Sequence, residues 1–251
     1  MKSDLQKMII DDFGSAFIQK RYIKNVDSWL WESEKIVIQK YIKSNAKILD
    51  MGCWTWRTTI QLHNIWFDVT GADITPEMIE NAKHIAHSKK MKITYEIQDA
   101  TCMGYTDNLF DWVLFLTNGR TQIPWKDKRF KALKEIYRVL KKWWIFILIF
   151  HAKAKNDHSP FWLTQWIKHK IFKKIGINIW ESDYWDMLFK RENWSKQFMH
   201  VANEELVKNE LKKTWFEILF FDREDKITNK DVHLNDNVYN HPPVFAVCKK
   251  E

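Results

Sequence analysis

Residues 48–60 read ILDMGCWTWRTTI. An apolar run, Ile48-Leu49, is closed by Asp50, and the chain then enters a turn at Gly52. Such a turn between a strand and a helix needs small residues where the backbone bends back on itself or a ligand approaches closely. This one carries Trp54 and Trp56 instead. The same imbalance runs through the whole chain of 251 residues, which has 6 Gly and 15 Trp. Ordinary usage, roughly 7% glycine, predicts about 18. The shortfall is close to the surplus of tryptophan.

Working outward from this stretch, strand and helix patterns alternate. Ala46–Met51, Phe67–Asp73, Lys92–Gln98, Phe110–Leu116 and Trp144–Phe150 read as buried strands. Helical stretches at Arg57–His63, at Pro76 onward behind Thr75, and at Asp127–Lys141 separate several of them. This alternation predicts an α/β fold with an open, doubly wound, largely parallel sheet. It lapses for about fifty residues after Phe150, in a basic and aromatic stretch that includes FWLTQWIKHKIFKKIG. That stretch reads either as a cap on the main domain or as a surface for a membrane or RNA. A helix over 203–213 and strands at Trp215–Phe221 and VFAVCKK complete the pattern.

Bulk properties exclude several classes. The three cysteines, Cys53, Cys102 and Cys248, are odd in number and lack metal-ligand spacing, so neither a disulfide framework nor a metal site is expected. The N-terminus meets acids before an apolar core can form, and the longest apolar run, Trp143 to Phe150, is too short to span a bilayer. These features predict a cytoplasmic protein with no membrane partner. The excess of 40 Lys plus Arg over 32 Asp plus Glu fits an anionic partner or simply a solvated basic face.

The ordered motifs resemble the class I S-adenosylmethionine (SAM)-dependent methyltransferases. That family's first strand ends in D-x-G-x-G-x-G, and Asp50-Met51-Gly52-Cys53-Trp54-Thr55-Trp56 matches it with two glycines written as Trp. Its second strand ends in an acid, here Asp73. Its third ends in an acid followed by a small residue, here Asp99-Ala100. The run ALKEIYRVLKKWWIFILIF is similar to the family's E-x-x-R-V-L-K-P-G-G, with Trp143 and Trp144 at the two glycines. Trp215 stands where the family's late turn has glycine, and Trp66 and Trp125 fall in turns that also favour it.

The resemblance implies a Rossmann-like seven-stranded sheet of order 3-2-1-4-5-7-6, its last strand antiparallel, with an inserted helical lid. Residues 1–45 would be an N-terminal helical segment and 46–251 the methyltransferase domain, with the insertion at about 151–200. It further implies SAM as cofactor. Asp50 and the loop of Gly52, Cys53, Trp54 and Trp56 would hold its amino-acid end. Asp73, with Ile74 beside it, would accept from the ribose hydroxyls, and Asp99 with Ala100 would meet the adenine. Thr117 and Asn118 would face the transferred methyl, and His151 is the candidate base. A small-molecule acceptor is favoured. An RNA acceptor using the basic insertion, or a non-catalytic binding scaffold, is the alternative.

The misplaced tryptophans have two readings. Forcing a non-glycine residue to positive φ costs roughly 1–2 kcal/mol each time, so a dozen independent drifts would overwhelm a domain stable by about 5–15 kcal/mol. A decoding account is simpler. The glycine codon GGA and UGA differ by one base, and a gene that reads UGA as glycine, translated with UGA as tryptophan, yields this pattern. The alternative is that the tryptophans are real and the site has degenerated.

Overall fold

The computed structural model describes residues 2–24, 28–42, 45–54, 56–116, 119–153, 160–172, 174–177, 179, 183–190, 195–228 and 243–251. Helices α1 (Lys2–Gly14), α2 (Ala16–Ile23) and α3 (Glu32–Tyr41) precede β1 (Lys47–Met51). Next come α4 (Arg57–Asn64), β2 (Asp68–Asp73), α5 (Pro76–Ser88), β3 (Thr94–Ile97) and β4 (Phe110–Phe115). A 3-10 turn (Gly119–Gln122) leads to α6 (Lys126–Val139) and β5 (Leu140–Phe150). The insertion holds α7 (Pro160–Ile167), which continues into a wider helical turn (Lys168–Phe172), and then β6 (Asp186–Lys190) and β7 (Lys196–His200). The chain closes with α8 (Glu204–Lys213), β8 (Phe216–Arg223), α9 (Glu224–Thr228) and β9 (Val244–Lys250).

Seven strands form one sheet in the order β3-β2-β1-β4-β5-β9-β8, while β6 and β7 form a separate two-stranded hairpin. β1 pairs in parallel with β2 and β4, and β9 runs antiparallel to both β5 and β8. This is the expected order with the hairpin inserted before the last two strands. Side chains alternate between the sheet's faces. Leu49, Val113, Phe146 and Leu148 meet Leu133 and Ile136 of α6 and Leu211 of α8 on one face. Ile48, Trp112, Leu114 and Ile147 meet Val37 and Ile38 of α3 and Leu62 of α4 on the other. All six residues of β4 are buried, as a central strand covered on both sides requires.

Two expectations need correction. The helix expected to run to Lys141 and the strand expected from Trp144 meet earlier: α6 ends at Val139 and β5 already begins at Leu140. The extra residues are absorbed by a shift in register between the Phe110–Leu140 and Trp112–Ile145 pairs, a bulge. The insertion also contains a strand pair. Its run of aromatics and lysines offers little period-2 signal, and the hairpin is held by mutual pairing of Asp186–Lys190 with Lys196–His200.

The backbone bears directly on the tryptophans. Eight described non-glycine residues have positive φ, and five of them are Trp56, Trp66, Trp125, Trp143 and Trp215. Trp66 and Trp215 each follow the C-cap residue of a helix, with their N–H bonded to His63 O and Lys212 O at 3.0 Å. That is the left-handed position that glycine ordinarily fills. Trp66, Trp143 and Trp215 are 89%, 59% and 63% exposed, so little packing offsets the backbone strain. Trp54 and Trp144 are not among the left-handed residues.

The decoding account therefore predicts UGA at codons 56, 66, 125, 143 and 215, and UGG at these codons would overturn it. Independently, Trp66→Gly, Trp143→Gly and Trp215→Gly are each expected to stabilise the written chain by about 1 kcal/mol. The midpoint of urea unfolding measures this.

Candidate functional site

A cavity opens at the carboxyl ends of β1, β2 and β4. It lies where the strand order reverses between β1 and β4, the usual ligand position in such sheets. Gly52 makes the turn out of β1 with φ 67°, and its N–H and that of Cys53 both donate to Ala72 O, at 2.7 and 3.0 Å. A Cβ at Gly52 would sit 3.1 Å from the Phe115 ring. Both the conformation and the space demand glycine here.

Asp73 joins the two loops at the cavity floor. Its carboxylate accepts from Trp54 N–H at 3.2 Å and Thr75 N–H at 2.9 Å. Burial pushes its pKa up to about 6, against the pull of these backbone donors. Thr75 holds the N-cap position of α5 without a side-chain capping bond. Asp50 sits deeper, accepting from Thr59 Oγ1 at 2.6 Å, and burial raises its pKa to about 7.

Of the residues the resemblance implied for the cofactor, Gly52, Trp54, Asp73, Ile74, Asp99 and Ala100 line the cavity. Asp50, Cys53 and Trp56 do not. Asp50 lies beneath the loop, and the Cys53 thiol is buried, its pKa pushed up by desolvation. Trp56 corrects an expectation. Its indole turns away into a core with Ile60, Met78 and Ile79, donating Nε1–H to Met78 O at 2.8 Å. Trp54 does meet the cavity, packed edge-on against Phe13 and Tyr22 at centroid distances of 5.3 and 4.5 Å. Thr117 and Asn118 lie outside the described residues. His151 follows β5 and is not among the described lining residues.

The sequence reading missed the roof. Gln6, Ile9, Ile10 and Phe13 of α1 line the cavity, so a helix assigned to an N-terminal appendage covers the site. Gln6 Nε2 donates to Asp99 Oδ2 at 3.3 Å, and Lys128 Nζ donates to Gln6 Oε1 at 2.7 Å. Asp99 also accepts from Thr101 N–H at 2.8 Å. The advance signal was the apolar set Leu5, Met8, Ile9, Ile10 and Phe13 among the polar residues of the helix.

A second missed group lies behind the wall formed by Gln122 and Ile123. His200 Nδ1 is 2.9 Å from Asp186 Oδ1, and burial with nearby arginines lowers the imidazole pKa to about 4. Arg129 bonds Asp183 Oδ2 and Ile123 O, and Arg120 pairs with Glu210. This buried charge network ties the hairpin and α8 to the turn after β4. Among the described residues no group of three or more His, Cys, Asp or Glu could hold a metal ion.

Residues 48–143 match the methyltransferase domain family. The chain is 27% identical over 219 residues to YqeM of Bacillus subtilis, named as a methyltransferase, covering 80% of this chain and 85% of that protein. It is 27% identical to the demethylmenaquinone methyltransferase of Leptospira interrogans, over 60% of this chain and 61% of that one. A solved SAM-dependent methyltransferase from Methanosarcina mazei shares the fold, with a TM-score of 0.68, 22% identity, and coverage of 88% of this chain and 98% of that chain.

The buried acids make a pH prediction. An acid whose pKa is raised by folding keeps its proton in the native state after the unfolded chain has released it, so stability falls as pH rises between the two values. For Asp50 the window runs from 3.8 to about 7. Relative to Asp50→Asn, the wild type is expected to lose roughly 2–4 kcal/mol of stability between pH 4 and pH 7. Parallel thermal melts of the two proteins across that range would test it, and a constant difference would contradict it.

Proposed function

We propose that this chain, a class I SAM-dependent methyltransferase, methylates a small, largely apolar molecule held with the cofactor beneath α1. The observation that carries the reading is the apolar cavity. Ile9, Ile10, Phe13, Phe115, Ile123 and Pro124 make its walls apolar, and α1 lies along one side of it. Such a chamber suits a compact acceptor better than a polymer chain. The name of the Leptospira relative, a demethylmenaquinone methyltransferase, points the same way.

The residues present fit SAM. Ionised Asp73 offers acceptor oxygens to a pair of vicinal hydroxyls, and Gly52 lets the backbone approach a ligand. Asp99 is placed for an amino group once Gln6 yields it. The cofactor supplies an activated methyl on a sulfonium. Methyl transfer is an in-line displacement, so the protein's contribution is chiefly to align donor and acceptor and to exclude water. Ile9, Phe13, Phe115 and Ile123 would do the excluding. His151, which follows β5, remains the proposed base, and Asn118 the residue proposed to face the transferred methyl.

Calorimetry tests the cofactor site. Asp73→Ala is expected to weaken SAM binding by about 1.5–3 kcal/mol, roughly ten- to a hundredfold. Wild-type affinity should fall as pH drops through about 6, where Asp73 gains its proton. Trp54→Gly, which clears the cavity, should tighten binding by about tenfold or more, whereas Trp56→Gly should act on stability alone. Unchanged affinity in Asp73→Ala would remove that residue from the site. For the acceptor, methyl-labelled SAM is incubated with fractionated cell extract. Label in the low-mass, solvent-extractable fraction supports the proposal, and label in RNA or protein overturns it.

A further inference from the structure

The helical part of the insertion is built the wrong way round for a solvated cap. On α7, Trp162 and Gln165 face inward and are buried, while Leu163, at 61% exposure, and Trp166 face outward. Exposed Ile171 and Phe172 follow in the wider helical turn, and Ile175, at 67%, and Ile177 continue the apolar surface. A helix packed on a domain ordinarily turns polar side chains to water. Here the side chains turned to water are predominantly large and apolar. Leu163, Ile171, Phe172, Ile175 and Ile177 carry this face whether or not residue 166 is a true tryptophan.

The charge pattern identifies the occupant. Lys168, Lys170, Lys173 and Lys174 are interleaved with the apolar residues, and no Asp or Glu occurs anywhere from residue 158 to residue 180. An exposed apolar face with lysines interleaved and no acid in its own stretch of sequence matches an interfacial helix, whose apolar residues enter the acyl boundary while lysines meet anionic headgroups. RNA is the poorer fit, because base recognition on a basic surface relies on stacking, and four of the five side chains just named are aliphatic. A second copy is disfavoured by the like charge that two such faces would bring together.

We infer that the α7 segment, residues 160–172 with 174–177, docks the protein peripherally on an anionic lipid surface. This departs from the expectation of no membrane partner, which rested on the lack of a spanning segment. Among the described residues no helix is long and apolar enough to cross a membrane, and docking requires none. Attachment depends on aliphatic insertion for its grip and on the lysines for its preference, each lysine near the surface strengthening it about fivefold.

The test is co-sedimentation of the full-length protein with phosphatidylcholine vesicles, with and without phosphatidylglycerol. Association with the phosphatidylglycerol vesicles is expected, weakening in high salt. The exposed triple variant Leu163→Ser/Ile171→Ser/Ile175→Ser should reduce it at least about tenfold, and Lys170→Gln/Lys174→Gln by about tenfold or more. Circular dichroism and melting temperature check that the triple variant is folded, and Ile175→Ser alone serves if it is not. No association with anionic vesicles overturns the proposal, as does association that the serine variants leave unchanged. Retention on oligouridylate without vesicle binding would assign the surface to RNA, and a dimer dissolved by the serine variant would assign it to a second copy. None of these outcomes depends on methyl transfer, so the proposed reaction can fail without this surface failing, and the converse.

Discussion

A single carboxylate, that of Asp73, governs the geometry of the site. It accepts from Trp54 N–H in the loop after β1 and from Thr75 N–H at the start of α5, so one side chain links the turn after β1 to the turn after β2. Burial disfavours its charge while the two backbone donors favour it. The balance leaves a group that titrates near the lower edge of the physiological range, which a ligand carrying hydroxyl donors can capture in the ionised form.

The N-terminal helices are bound into this arrangement rather than appended to it. Glu34 of α3 makes a bidentate pair with Arg57, the first residue of α4, at 2.6 and 2.7 Å, and both are buried. Glu34 also accepts from Trp31 N–H at 2.8 Å, and Ser33 donates to Glu224 of α9 at 2.5 Å. A buried pair of this kind adds little net stability over apolar packing, yet losing one partner strands a buried charge at a cost of several kcal/mol. Its effect is to fix where α3 sits on the helix that follows the glycine turn.

What the sequence made legible follows from periodicity. β1, β4 and β5 are apolar runs, so the strands of a doubly wound sheet could be read from the pattern, while the strand order and the roles of the acids at 50, 73 and 99, at or just past strand ends, came from the family resemblance. The left-handed backbone at Trp66, Trp143 and Trp215 was legible for a different reason, because turn geometry constrains φ whatever residue is written. The roof was not legible. Which face of α1 packs where depends on contacts such as Gln6 with Asp99 that leave no local pattern. The hairpin at 186–200 and the His200–Asp186 pair escaped likewise, because each forms only when distant segments meet.

That reliance on distant segments sets an order of events as the chain is made. Gln6 finds its partners 93 and 122 residues later, at Asp99 and Lys128, and Asp12 accepts from Ser195, 183 residues away. Chains emerge N-terminus first, and contacts of long sequence separation form late because loop closure must precede them. α1, made before any of these partners, is therefore among the last to dock. Until the ribosome has passed the hairpin, the apolar side of α1 stays uncovered and the chamber stands open, so the nascent chain passes through a sticky, unroofed stage that the finished protein no longer displays.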